Sequence, residues 1–200
     1  MFVKVCGVRN VGDVAAVVAA GADAVGFVLT ESVRRIAPEL ARELAAQVPP
    51  QVLTVAVASG VPAAEAGRLA LAAGVRALQL HGDYPREAFA ELSGLPLQLI
   101  RATALTGTTD LTCGAYGEEL LLLDSPVAGS GERWDLSPLA RNRPEGRWLL
   151  AGGLSPANVG AAIAAARPWG VDVSSGVESS RGVKSHALIH EFVAAARKAG

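Results

Sequence analysis

The sequence predicts a single (β/α)8 barrel, and three observations carry that prediction. Apolar strand-like runs recur at intervals of roughly 20 to 28 residues, each followed by a helix-like, alanine-rich segment. Eight strand candidates can be counted along the 200 residues. Nothing in composition marks a linker or a second domain, so residues 1–200 are read as one unit. Strands alternating with helices imply a parallel sheet with right-handed crossovers, and eight pairs close naturally into a barrel. An open doubly wound sheet is the competing architecture. The turn after the first strand, "CGVRNVG", lacks the G-x-G-x-x-G spacing of a dinucleotide site, which weakens that reading.

Taken in order, the strand candidates are "FVKVC", "DAVGFV", "VLTVAV", "RALQLH", "LQLIRA", "ELLLLD", "RWLLAG" and "GVDVSS". The helical segments between and after them are "NVGDVAAVVAAG", "APELARELAAQ", "PAAEAGRLALAAG", "YPREAFAELSG", a weak stretch near "TTDLTCGAYG", then "LSPLARN", "SPANVGAAIAAA" and "SHALIHEFVAAARKAG". Asn10, and Ser155 followed by Pro156, are expected helix caps, while Pro38 and Pro62 suit a first turn. Gly21 and Gly74 suit the left-handed position that closes a helix.

Composition narrows the function classes. Half of the residues are apolar, and the formal net charge is −1, so nothing electrostatic points to nucleic acid or an anionic membrane. The longest apolar runs, such as "VAAVVAAGA", fall far short of the ~18 residues a membrane span needs. The N-terminus has no charged-then-apolar signal layout. Cys6 and Cys113 are far apart, without metal-like spacing, and are read as reduced thiols. A soluble, cytoplasmic protein is expected.

Catalytic groups of a parallel barrel sit at the C-terminal strand ends and in the loops just after them. Those places hold Cys6 in "VKVCG", His81 in "LQLHG", Asp124 in "LLLLD", and Asp172 with Ser174 in "GVDVSSG". If Cys6 points inward, Lys4 does too, and Val3 and Val5 face the helices. Asp124 ends a run of four leucines, where desolvating a carboxylate is costly unless chemistry needs it. Cys6 by itself fits either a small apolar filler or a reactive thiol. The loops "LAGGLSPANV" and "VDVSSGVESSRG" follow the last two strands, the usual phosphate site of such barrels. Together they point to a small phosphorylated ligand.

Missing residues also decide. No lysine ends a middle strand, which disfavours a Schiff-base aldolase or a lysine-dependent ring-closing lyase. His186 and His190 are four apart on the last helix, where a solvated face is expected. That leaves His81, Asp124 and Asp172 as strand-end ligand candidates, too few for a metal-dependent epimerase, so metal catalysis is disfavoured.

With Cys6, "QLHG", "LLLLD", "AGSGERWD", "LAGGLSPANV" and "VDVSSGVESSRGVKS" in this order, the chain resembles the phosphoribosylanthranilate isomerases of tryptophan biosynthesis over nearly its whole length. The resemblance implies a cofactor-free (β/α)8 barrel that acts as an aldose–ketose isomerase. It also implies an Amadori rearrangement of N-(5-phosphoribosyl)anthranilate. Carried onto this sequence, the general acid is Asp124 and the general base is Cys6. Asp124 must then hold a proton, and the Cys6 thiol must be lowered toward the working pH or its thiolate stabilised by the substrate's iminium charge. Arg34, or its neighbour Arg35, takes the anthranilate carboxylate. Asp172 orients groups at the site. Gly152, Gly153, Ser175 and Gly176 hold the phosphate, and His81 is a further substrate contact. The resemblance leaves a monomer or a homodimer as the assembly.

Three positions depart from the family pattern. The third strand ends "VAVASG" without an aromatic residue, Ala128 replaces a glycine in "AGSG", and Ser185 replaces an aspartate in "GVKS". The altered third strand keeps a related phosphoribosyl aminoimidazole open as a second substrate. Competing readings are a barrel enzyme acting on indoleglycerol phosphate or a ribulose phosphate, and a silent barrel that only binds.

Overall fold

The computed structural model describes residues 1–125, Leu139 and residues 142–200. Eight parallel strands close into a barrel in chain order. They are β1 (Phe2–Cys6), β2 (Ala24–Val28), β3 (Leu53–Ala58), β4 (Ala77–His81), β5 (Gln98–Ala104), β6 (Leu120–Asp124), β7 (Trp148–Leu150) and β8 (Gly170–Val173). The barrel shuts where β1 pairs with β8, Lys4 opposite Asp172. Outside it run α1 (Val11–Ala19), α2 (Pro38–Ala45), α3 (Ala63–Ala72), α4 (Arg86–Leu92), α5 (Val159–Ala166) and α6 (His186–Ala199). A short hairpin of β9 (Glu178–Ser180) and β10 (Val183–Lys184) lies between β8 and α6.

Two apolar layers follow from the alternation of strand side chains. Val3, Val5, Leu78, Leu80, Leu121 and Leu123 join the helices in an outer core. Cys6, Val55, Val57, Ala77, Ile100, Ala102, Leu122 and Leu149 fill the barrel itself. Each buried branched side chain contributes about 1.5–3 kcal/mol relative to exposure. The strand register stacks the inward residues in levels, odd and even strands taking turns, as parallel barrels require. Lys4, Val55, Ile100 and Leu149 share one level. Gly26, Gln79, Leu122 and Asp172 lie above it, then Cys6, Val57, Ala102 and Ala151. Val28, His81, Asp124 and Ser174 form the rim.

Local signals hold at most of the expected helix ends. Asn10 caps α1 by accepting from the Asp13 amide at 2.9 Å, and Pro38 opens α2. Gly21 and Gly74 take the left-handed backbone after α1 and α3, with φ of 78° and 61°. Two expectations are corrected. The stretch near "TTDLTCGAYG" forms turns and no helix; the buried Arg101 guanidinium fills that place, donating to the Asp110 and Thr112 carbonyls and to Glu118. Ser155 is not the cap of α5, which begins after Asn158. The Asn158 side chain turns back instead, accepting from the Ser155 amide and donating to the Gly153 carbonyl, both at 2.8 Å. Of "LSPLARN" only Leu139, which is helical, and Asn142 lie inside the described residues, and "AGSGERWD" with Ala128 lies outside them. Among the described residues no helix is long and apolar enough to cross a membrane.

Candidate active site

Cys6 ends β1 facing into the barrel, 7 % exposed. Space for its side chain comes from Gly26 on β2, where an added Cβ would stand 3.0 Å from Cys6 Sγ. Lys4, on the same inward face and fully buried, donates to Asp172 Oδ1 at 2.9 Å. Burial pushes the Cys6 thiol up from the ordinary thiol range, while the ammonium groups of Lys4 and Lys184 pull the other way without overcoming it. The surroundings that the protein itself supplies therefore do not lower the thiol. Burial alone would discharge Lys4, but the Asp172 carboxylate and Cys6 outweigh it and hold the ammonium charged. Both cysteines are free thiols.

Across the mouth from Cys6, Asp124 ends β6 in a buried position, with Oδ1 accepting from the Ser125 amide at 2.7 Å. Its other oxygen lies 3.6 Å from His81 Nε2 at the end of β4. Asp172 is pushed up by burial and by the Asp124 charge, against the pull of Lys4. A thiol and a carboxylate thus open on one mouth from strands separated by β7 and β8, a layout that can move protons at two points of one small molecule.

Arg34 reaches the same mouth from the loop after β2. Its stem crosses Gly7, where an added Cβ would stand 2.6 Å from Arg34 Cδ, and Gly7 has a left-handed φ of 77°. The guanidinium donates through Nε and one Nη to both oxygens of Glu178, at 2.6 and 2.9 Å. Glu178 also accepts from Lys184 Nζ at 3.0 Å and from the Gly182 amide at 2.9 Å. Burial would raise the Glu178 carboxyl, but these donors, Arg34 foremost, hold it at about 2. Lys184 is buried and lowered by that burial; it donates as well to the Ser174 carbonyl at 2.8 Å. The Ser174 hydroxyl in turn donates to the Cys6 carbonyl at 3.1 Å. Arg35, by contrast, is exposed.

A cavity at the β7 and β8 ends is lined by Asp124, Gly152, Gly153, Asp172, Ser174 and Ser175, among others. Gly152 and Gly153 have φ of 84° and 61°, a consecutive left-handed pair that side chains would strain. Gly176 sits directly against the other loop, for an added Cβ would fall 1.7 Å from the Leu154 carbonyl oxygen. Loops this close, with small side chains that let a ligand approach the backbone, suit an anionic oxygen cluster.

The structure therefore gathers Cys6, Arg34, His81, Asp124, Asp172 and the two glycine- and serine-rich loops at one end of the barrel. His186, expected on a solvated face, is half exposed but also lies 3.1 Å from Asp13 Oδ1. Three groups escaped sequence reasoning. Glu178 and Lys184 stood inside quoted motifs, with no sign of what they touch. Gln79 is buried on the inward face of β4 two residues before His81, and its side-chain carbonyl has no hydrogen-bond partner among the described residues. The period-2 alternation of "ALQLH" was the signal for it.

Comparison with known proteins gives the family and the fold. The sequence model of N-(5′-phosphoribosyl)anthranilate (PRA) isomerase matches residues 3–195. The N-(5′-phosphoribosyl)anthranilate isomerase of Symbiobacterium thermophilum is 40 % identical, with 98 % of each chain covered. Among solved structures, TrpF from Jonesia denitrificans superposes with a TM-score of 0.92 at 50 % identity, covering 100 % of this chain and 98 % of that one. A phosphoribosyl anthranilate isomerase in complex with reduced 1-(o-carboxyphenylamino)-1-deoxyribulose 5-phosphate superposes with a TM-score of 0.86 at 35 % identity, covering 99 % of both chains. The chain belongs to the N-(5′-phosphoribosyl)anthranilate isomerase family.

Proposed function

We propose that this protein isomerises N-(5-phosphoribosyl)anthranilate to 1-(2-carboxyphenylamino)-1-deoxyribulose 5-phosphate in tryptophan biosynthesis, with Asp124 as general acid and Cys6 as general base. The observation that supports the roles best is that these two groups open on one mouth from strands separated by β7 and β8, with Asp124 lining the glycine- and serine-rich cavity. Asp124 gives its proton to the furanose ring oxygen as the bond from that oxygen to C1 breaks, and the ring-opened sugar carries an iminium at C1. The Cys6 thiolate then removes the proton from C2, and the electron pair of that C–H bond becomes the C1–C2 double bond, neutralising the iminium. Transfer of a proton to C1 and loss of the enol proton complete the aminoketose. Burial raises the thiol, so the charge that favours the thiolate is that of the bound iminium, next to the buried Lys4 ammonium.

The phosphate rests on the loops carrying Gly152, Gly153, Ser175 and Gly176, the anthranilate carboxylate meets Arg34, and His81 and Asp172 contact the sugar. The proposed setting is the cytoplasm, as a monomer or homodimer, with no cofactor. The test is a fluorescence time course on phosphoribosylanthranilate generated in situ. Rapid loss of the anthranilate signal is expected, with a fall of about 10²-fold or more in both Cys6→Ala and Asp124→Asn. No conversion at high protein concentration overturns the assignment.

A further inference from the structure

We propose that Glu178 is a positioning residue for substrate recognition: it grips one edge of the Arg34 guanidinium so that the opposite edge is presented to the ring carboxylate of the substrate. The inference rests on the isomerase reading above and adds to it the residue that makes Arg34 selective. A guanidinium has two edges that can each meet a carboxylate with two parallel N–H bonds. Glu178 takes the Nε edge at 2.6 and 2.9 Å. Nη1 has no hydrogen bond among the described residues, so the end-on edge, formed by Nη1 and the second proton of Nη2, is left for a planar carboxylate.

Glu178 is itself fixed from three directions. Besides Arg34 it accepts from Lys184 and from the Gly182 amide, and its side chain is 4 % exposed. Two cations against one carboxylate leave a single net positive charge at this side of the mouth, which matches one anionic group on the ligand. The Arg34 stem is confined as well, because it lies over Gly7 immediately after Cys6. An arginine held this way loses little rotamer freedom when the carboxylate arrives, so its fork is prepared before binding. The same carboxylate connects the loop after β2 to the loop after β8, and through Lys184 and Ser174 to the backbone of Cys6.

The experiment compares two glycosides of ribose 5-phosphate, one with anthranilate and one with aniline, which lacks only the ring carboxylate. Ketose product is followed by chromatography for the unsubstituted protein, Glu178→Gln, Arg34→Met and the double variant. Glu178→Gln keeps the shape but removes the second acceptor and the charge. Its KM for the anthranilate glycoside is expected to rise about 10-fold or more with kcat within about 3-fold, and its KM for the aniline glycoside to stay within about 2-fold of the unsubstituted protein. In the Arg34→Met background, Glu178→Gln is expected to add nothing further. An equal penalty on both glycosides, no penalty on either, or an undiminished penalty without Arg34 overturns the inference and leaves the isomerase reading standing. If the unsubstituted protein converts neither glycoside, both are overturned.

Discussion

Lys4 donates to Asp172 at 2.9 Å across the seam that closes the barrel, and the two residues are direct register partners of β1 and β8. Their side chains are 1 % and 10 % exposed. Two charges this deep repay their desolvation only while both are present. Lys4→Met leaves a buried carboxylate alone, and a loss of about 3–5 kcal/mol in urea unfolding is expected. The double variant Lys4→Met with Asp172→Leu should be less unstable than Lys4→Met by itself. Additive losses in the pair would show that the ion pair does not hold the seam.

The Cys6 thiol is a second measurable quantity. Because burial pushes it up from the ordinary thiol range, alkylation by iodoacetamide should be slow at neutral pH and still rising in the alkaline range where an ordinary thiol has levelled off. The measurement belongs in a Cys113→Ser background, since Cys113 is also a free thiol. Lys4→Gln, by removing a cation that favours the thiolate, should move the alkylation profile to still higher pH. A profile with a midpoint near 7 would mean that the thiol is activated before any substrate binds.

The strands of the barrel were legible because each is a short apolar run that ends on a small or polar residue, as "VKVCG" and "LLLLD" do. Placing Cys6, His81, Asp124 and Asp172 at one end then needed only the barrel rule and period-2 alternation. What could not be read is contact across distance. Arg34 and Glu178 lie 144 positions apart, and no local pattern says that a glutamate near the C-terminus will clamp an arginine near the N-terminus. The Ser155 cap failed for a local reason: Asn158 offers a side chain that bonds both Gly153 and Ser155, so it takes the turn over and starts the helix later. The stretch before β6 reads as a weak helix because its partner, the Arg101 guanidinium on the outer face of β5, is invisible in its own residues.

Glu178 carries a pH signature distinct from its role with Arg34. Its folded carboxyl is held at about 2 against an ordinary value of 4.5, so the unfolded chain takes up the proton first as pH falls. The stability it contributes is therefore complete above the unfolded value and is lost as pH drops from there toward about 2. Chemical unfolding measured at steps across that window should show a decline that is flatter in Glu178→Gln than in the unsubstituted protein. Parallel declines would mean that other carboxylates carry the acid sensitivity.

The two glycine- and serine-rich loops after β7 and β8 make the sharpest steric prediction. At Gly176 an added methyl group meets the Leu154 carbonyl oxygen at 1.7 Å and its carbon at 2.8 Å. Both atoms are backbone, so no side-chain rotation relieves the clash, and the loops after β7 and β8 must part by about 1 Å or more. Gly176→Ala should therefore raise KM for the phosphorylated substrate about 10-fold or more and weaken competitive inhibition by inorganic phosphate in parallel. A stability loss of about 1–3 kcal/mol is expected alongside. Gly94→Ala is the matched control, since nothing lies within 4 Å of the position its Cβ would take. Phosphate inhibition is the decisive reading, because it probes the loops without the ring or the proton transfers. If it is unchanged in Gly176→Ala while the protein remains folded, the phosphate is held elsewhere on the barrel rim.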